Sequence, residues 1–147
     1  TLDAGLVGWS WVAGLPGTIG GAVRGNAGAY GKGMSDIVTD VTIFRNGEVL
    51  DLDNQAMKFK YRHSLIKDEP AVIINVVLKL TVGDTALERA EVEKYIKRRE
   101  QTPPLTLPNS GCVFKNIDLT TQTVDQERII SGEATLRDKA SKSIKCS

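Results

Sequence analysis

Three clusters in this chain carry groups suited to chemistry. The first is a glycine-rich run. Residues 5–33 hold ten of the fourteen glycines, alternating with Trp9, Trp11, Val12, Leu15, Ile19, Val23 and Tyr30, side chains that favour burial. Glycine tolerates positive φ and lets backbone approach a ligand closely. Successive backbone N–H groups in such a run can form an anion nest around a diphosphate. Neither common nucleotide fingerprint is present. A Walker loop needs Ser or Thr after its Gly-Lys step, and here Gly33 follows Gly31-Lys32. The glycines after Gly14 do not keep the Gly-x-Gly-x-x-Gly spacing inside a βαβ unit. Composition leaves two readings open, a cofactor cradle and a set of structural turns.

The second cluster is Tyr61-Arg62-His63-Ser64. Arg62 can clamp a carboxylate or phosphate through its planar fork, and His63 can serve as acid or base. The same four residues also suit a surface loop. The third is Cys112, after Ser110-Gly111 and before Val113-Phe114-Lys115-Asn116. A thiol near Lys115 could act as acid or nucleophile, or be a buried small hydrophobe. Cys146, one residue from the end, is incidental.

The elements that would position these groups follow from pattern. Residues 37–44 alternate as a strand, with Val41 and Ile43 on one face and Thr42 and Phe44 on the other. Asn46-Gly47 signals a two-residue hairpin, and residues 48–52 return as the second strand. Asp53 reads as the N-cap of a helix start at residues 53–57, and residues 59–64 as a polar-aromatic stretch. Residues 71–82 form one long strand, closed by Gly83-Asp84. Residues 86–99 form a helix, with Leu87, Ala90, Val92, Tyr95 and Ile96 as its apolar side and a Glu93–Lys97 step in favourable order. Pro103, Pro104 and Pro108 then enforce extended chain, and residues 112–114 read as a short strand.

The chain has 147 residues, 41% hydrophobic and 25% charged, which suits a folded chain with a core of its own. Nineteen basic against eighteen acidic side chains leave +1, with no electrostatic footprint for nucleic acid or an anionic membrane. No apolar run approaches the ~20 residues of a membrane span. Two cysteines make no disulfide framework and, with one histidine, no dedicated metal site.

Taken together the clusters are more specific than any alone. Gly-x-Pro-Gly-Thr-x-Gly-Gly-Ala-Val-Arg-x-Asn-Ala-Gly-Ala-Tyr-Gly, then Tyr-Arg-x-Ser, then Ser-Gly-Cys-Val-Phe-Lys-Asn, resembles the UDP-N-acetylenolpyruvoylglucosamine reductase (MurB) family over residues 5–116. The short step from Tyr61-Arg62-His63-Ser64 to the strand at Ala71 resembles the shorter of that family's two types. The resemblance implies an α+β fold. Residues 1–83 would be the second subdomain of a PCMH-type FAD-binding domain, and residues 84–147 part of the substrate-binding domain, atypical from residue 117. It implies a cytoplasmic, monomeric flavoenzyme of peptidoglycan precursor synthesis. NADPH reduces bound FAD, and the flavin passes hydride to the small-molecule substrate, UDP-N-acetylglucosamine enolpyruvate, giving UDP-N-acetylmuramate.

Residue by residue, the resemblance makes Arg62 the catalytic arginine and places Cys112 where the family usually has the serine acid. Gly14, Pro16, Gly17, Thr18, Gly20, Gly21, Asn26 and Gly28 would hold FAD, while Tyr61, Lys115 and Asn116 would bind substrate. His63 is left a structural residue. The family's first FAD subdomain would precede residue 1, and its catalytic glutamate has no counterpart here, neither Glu127 nor Glu133. Two other readings stay open: a flavin oxidase of the same FAD-binding fold, and a degenerate, non-catalytic nucleotide- or flavin-binding module.

Overall fold

Asn46 and Gly47 both take left-handed backbone, with φ of 53° and 88°. That turn matches the twist of the strands it joins, and it organises the central sheet of this computed structural model, which describes residues 1–101, 115–118 and 143–144. In chain order, β1 (Leu6–Val7) precedes α1 (Ile19–Arg24) and the small hairpin of β2 (Gly28–Ala29) and β3 (Lys32–Gly33). The sheet strands β4 (Val38–Arg45) and β5 (Glu48–Asp53) follow, then α2 (Leu65–Asp68), β6 (Val72–Leu78), β7 (Thr81–Val82) and α3 (Thr85–Glu100). Two compact units are present, Thr1–Pro104 and Leu105–Ser147. In the second, β8 (Ile117–Asp118) pairs antiparallel with β9 (Ser143–Ile144).

The main sheet runs β5-β4-β6, all antiparallel. The alternation expected for β4 is observed. Val41 and Ile43 are fully buried, whereas Phe44 is 44% exposed on the other face. Their cross-strand partners Leu52, Val76, Leu50 and Ile73 continue the inward face. Trp11, Val23, Met34, Met57 and Ile66 close over it as one core. Each large side chain buried there contributes roughly 1.5–3 kcal/mol. Within the glycine-rich run, Trp11 and Val23 are buried as expected, but Ile19 and Tyr30 stay exposed.

Three sequence expectations need correction. Residues 71–82 are two strands. β4 begins at Val38, whose partner is Leu78, so beyond Leu78 no β4 residue remains to pair. The Lys79 amide donates to Ile37 O at 2.7 Å, and the chain leaves to pair as β7 with β1. The helix start at Asp53 is a single turn. Asp53 does accept from the Ala56 amide at 2.7 Å, but Lys58 goes left-handed (φ 48°) once Met57 has entered the core. Between those two segments, α2 forms at Leu65–Asp68, just past the polar-aromatic stretch of residues 59–64, where no element was expected.

The third correction concerns α3. Asp84 caps it, accepting from the Ala86 and Leu87 amides. Its expected apolar side does not make the main contact: Leu87 is 69% exposed, Ile96 is 38% exposed, and Ala90 is exposed. Polar side chains dock it instead. Glu88 Oε1 accepts from the Gly8, Trp9 and Ser10 amides at 2.9, 3.1 and 2.8 Å. Arg99 donates to Ala13 O at 2.8 Å and to Trp11 O at 3.3 Å. Arg89 pairs with Asp3, Val92 and Tyr95 are half-buried, and Lys94 pairs with Glu91 along the helix. No helix among the described residues is long and apolar enough to cross a membrane.

Burial pushes the Glu88 carboxyl up. The amides of Gly8 and Ser10, the Ser10 hydroxyl and the Trp9 amide outweigh it, so its pKa lies below the ordinary glutamate value. A depressed carboxylate stabilises the fold above its unfolded pKa and loses that contribution as pH falls through both values. Glu88→Ala is therefore expected to cost about 2 kcal/mol at neutral pH, as for hydrogen bonds to a charged group. The exposed Glu93→Ala should stay within about 0.5 kcal/mol of the parent. Urea unfolding at pH 7 and below the glutamate range checks both. The Glu88→Ala deficit should shrink in acid, and a deficit constant with pH would mean that charge plays no part in the docking.

Candidate active site

Between the tryptophans and α1, Val12 and Leu15 pack against the core, while the residues around them are small or exposed. Gly14, Pro16, Gly17, Thr18 and Gly21 are exposed and Gly20 is half-buried. Gly17 takes φ of 119°, a conformation open to glycine alone, and a Cβ there would point into open space. Thr18 then caps α1, its hydroxyl accepting from the Gly21 amide at 3.1 Å. The preceding first-turn amides, of Ile19 and Gly20, meet no acceptor among the described residues. Gly20 faces Ile73, which a Cβ would touch at 3.7 Å, so this face of α1 rests on β6.

Past α1, four residues singled out in the sequence converge. Lys60 and His63 exchange backbone hydrogen bonds of 3.1 Å each, so Tyr61 and Arg62 form the tip of a tight turn. Arg62 takes a left-handed φ of 54°. Its Nη2 donates to Gly28 O at 2.9 Å. Gly28 is glycine for lack of room: a Cβ would lie 2.6 Å from Lys32 O and 3.3 Å from Arg62 Nη1. Asn26 uses both ends of its amide inside the protein. Nδ2 donates to Lys60 O at 2.9 Å, and Oδ1 accepts from the Ser35 amide at 3.0 Å. Tyr61 is 55% exposed, with the Arg62 guanidinium 5.3 Å from its ring centroid.

The supporting shell was only partly visible in the sequence. Ser64 is fully buried and donates to Arg24 O at 2.7 Å, fastening this turn to the end of α1. Its place before the apolar pair Leu65-Ile66 was the available clue. Lys67, whose Nζ donates to Arg62 O at 2.8 Å, had none. His63 pairs with Asp68 at 3.0 Å, which agrees with a structural role. Tyr30 stacks on Tyr95 with centroids 4.3 Å apart, and the guanidinium groups of Arg98 and Arg99 stand 5.3 and 5.4 Å from the Tyr30 ring. That cluster joins the tip of the β2–β3 hairpin to α3, and no local pattern announces it.

In chemical terms, Arg62 is a cation anchored by one bond. Its other N–H groups meet no acceptor among the described residues, so the fork can still take a carboxylate or an oxyanion. Lys115 is exposed and Asn116 half-buried in the second unit. Cys112 lies outside the described residues, as does the strand expected at residues 112–114.

No protein-family model matches the chain. Individual proteins do. It is 42% identical over 114 residues to the UDP-N-acetylenolpyruvoylglucosamine reductase of Pediococcus pentosaceus, covering 77% of this chain and 38% of that protein. The reductase of Limosilactobacillus fermentum is 40% identical, with the same coverage. That of Caldanaerobacter subterraneus is 37% identical over 111 residues, 75% of this chain and 37% of that one. The crystal structure of the reductase from Thermus caldophilus superimposes with a TM-score of 0.69 at 28% identity, over 79% of this chain and 42% of that one. The chain thus spans less than two fifths of the length of these curated relatives. Within that span the chain is similar to the UDP-N-acetylenolpyruvoylglucosamine reductases in both sequence and α+β fold.

Proposed function

We propose that the chain forms part of a flavin-dependent reductase that converts UDP-N-acetylglucosamine enolpyruvate to UDP-N-acetylmuramate, in the cytoplasmic assembly of peptidoglycan precursors. Residues 1–83 serve as the second, PCMH-type FAD-binding subdomain, and residues 84–147 as part of the substrate-binding domain. The observation that carries this reading is the state of Arg62: fixed at Gly28 O by one N–H, with the rest of its fork unengaged among the described residues.

The residues present fit a flavin nucleotide. An exposed run in which Gly17 has open space where a Cβ would stand, followed by unengaged first-turn amides of α1, suits the approach of a diphosphate. Gly14, Pro16, Gly17, Thr18, Gly20 and Gly21 hold it, while Asn26 and Gly28 shape the far side of the loop. When bound, FAD supplies the hydride that it takes from NADPH.

The chain's own residues handle charge and proton. Hydride addition to the enolpyruvyl double bond leaves negative charge on an enolate conjugated to the carboxylate. Arg62 stabilises that charge, which is the electrostatic demand of the step. Cys112 delivers the proton to the enol carbon and recovers one from solvent. Its thiol, with an ordinary pKa of ~8.5, is a far better acid than the serine hydroxyl it replaces. Tyr61, Lys115 and Asn116 bind the substrate.

Three outcomes are expected. The purified chain, incubated with FAD and desalted, retains a flavin absorption band; a colourless chain would show that the Gly14–Gly28 loop does not hold the cofactor unaided. In any form that turns over, Arg62→Lys lowers substrate reduction by about 10²–10³-fold, as for loss of one oxyanion donor, while NADPH still bleaches the flavin. Cys112→Ala likewise spares flavin reduction and stops reoxidation by the enolpyruvyl sugar. Stopped-flow absorbance of the two half-reactions separates these effects, and unchanged reoxidation in either variant would remove that residue from the mechanism.

A further inference from the structure

We propose that Lys67 is a positioning residue for Arg62, acting on its backbone rather than on its charge; the catalytic weight of this assignment rests on the role proposed above for Arg62. The starting point is a conflict at the turn. Of the four residues Lys60-Tyr61-Arg62-His63, only Arg62 has positive φ. Positive φ at the third residue alone is the sign pattern of a type II turn, where glycine or asparagine normally stands. An arginine there is in a sparsely populated conformation that persists only when its surroundings over-determine it.

Lys67 supplies that determination. It sits in α2, whose Leu65 and Ile66 are buried, so the stem of its side chain rises from fixed backbone. Its ammonium donates to Arg62 O at 2.8 Å. Two carboxylates follow it directly in sequence, and it pairs with neither. Asp68 meets His63, and Glu69 meets Arg45. Half-buried, the lysine spends its charge on a peptide oxygen of the turn. Fixing the Arg62 carbonyl fixes the flanking peptide plane and hence the direction in which the side chain departs. The guanidinium then meets Gly28 O with one nitrogen and presents the rest of its fork. Without Lys67 the turn can relax toward negative φ, and the guanidinium leaves its seat while the core stays folded.

The test needs only the unmodified chain and its variants, with nitrogen-15 arginine labelling. A guanidinium held at Gly28 O rotates slowly and gives separate Nη1 and Nη2 signals for Arg62. Lys67→Met should merge them into the averaged signal of a free guanidinium, with the Val41 and Ile43 amides unmoved. Lys67→Arg, which can still donate to the carbonyl, should restore the separate signals. In an Arg62→Gly background, where positive φ is unstrained, Lys67→Met should shift Tm by less than half of what it does in the parent. Separate Arg62 signals retained in Lys67→Met, or equal Tm shifts in both backgrounds, would overturn the proposal. If Lys67→Met does not fold, ammonium proton exchange in the unmutated chain decides. Several-fold slower exchange at Lys67 than at the exposed Lys58 supports the bond to Arg62, and equal rates refute it. These readouts depend on geometry alone, so unchanged reoxidation in Arg62→Lys would count against the proposed reaction and leave this inference standing.

Discussion

The stretch from Gly8 to Gly33 has to satisfy its peptide groups largely without the help of regular structure. It holds one 3-10 turn at Ser10–Val12, one six-residue α-helix and one hairpin of two-residue strands. Buried peptide groups without partners are costly, and glycines bring no side chains to supply them. The molecule answers by sending polar side chains in from elsewhere. Glu88 takes the amides of Gly8, Trp9 and Ser10, while Arg99 reaches the carbonyls of Trp11 and Ala13. Ser64 takes Arg24 O, Arg62 takes Gly28 O, and Asp36 accepts from the Gly33 amide at 2.7 Å. The rest of the described first unit is arranged so that these groups arrive.

This explains an otherwise odd helix. α3 looks amphipathic in sequence, yet Glu88 and Arg99 on one side make its anchoring bonds while Leu87 is largely exposed. The carboxylate at its first turn and the guanidinium at its last are one side chain each, spanning the helix from end to end. Charge-assisted bonds to several peptide groups at once hold direction better than apolar contact does, because each bond has a preferred line. The loop between Gly8 and Ala13 is thereby held at both ends by one rigid rod.

How much of this was legible depends on the range of the interaction. β4, β5 and their turn were readable because alternation and Asn46-Gly47 are local signals, and Val41 and Ile43 face where alternation puts them. The division of residues 71–82 was not, since it depends on where β4 begins. The candidate site shows the same limit. Arg62, Gly28 and Asn26 stood out by residue type and order. Nothing local joins Arg62 to Gly28 across 34 positions, or Glu88 to Gly8 across 80. Lys67 lies five positions from the carbonyl that it holds, but only a left-handed Arg62 brings them together.

A cation used both as a strut and as a reagent ties two parts of a site together. Arg62 meets Gly28 O on the β2–β3 hairpin, where Gly28 pairs with Gly33 and leaves no space for a larger residue. In the proposed reaction the group that meets the developing enolate charge is thus aimed by the loop that borders the cofactor. Disorder in that loop would misdirect the guanidinium even with every catalytic atom present. Conversely, an anion that draws Arg62 wholly onto itself would unseat Gly28 O. Retaining one bond to the loop while offering the rest of the fork avoids both failures, and it requires a planar group with several fixed donors, a requirement that arginine meets and lysine does not.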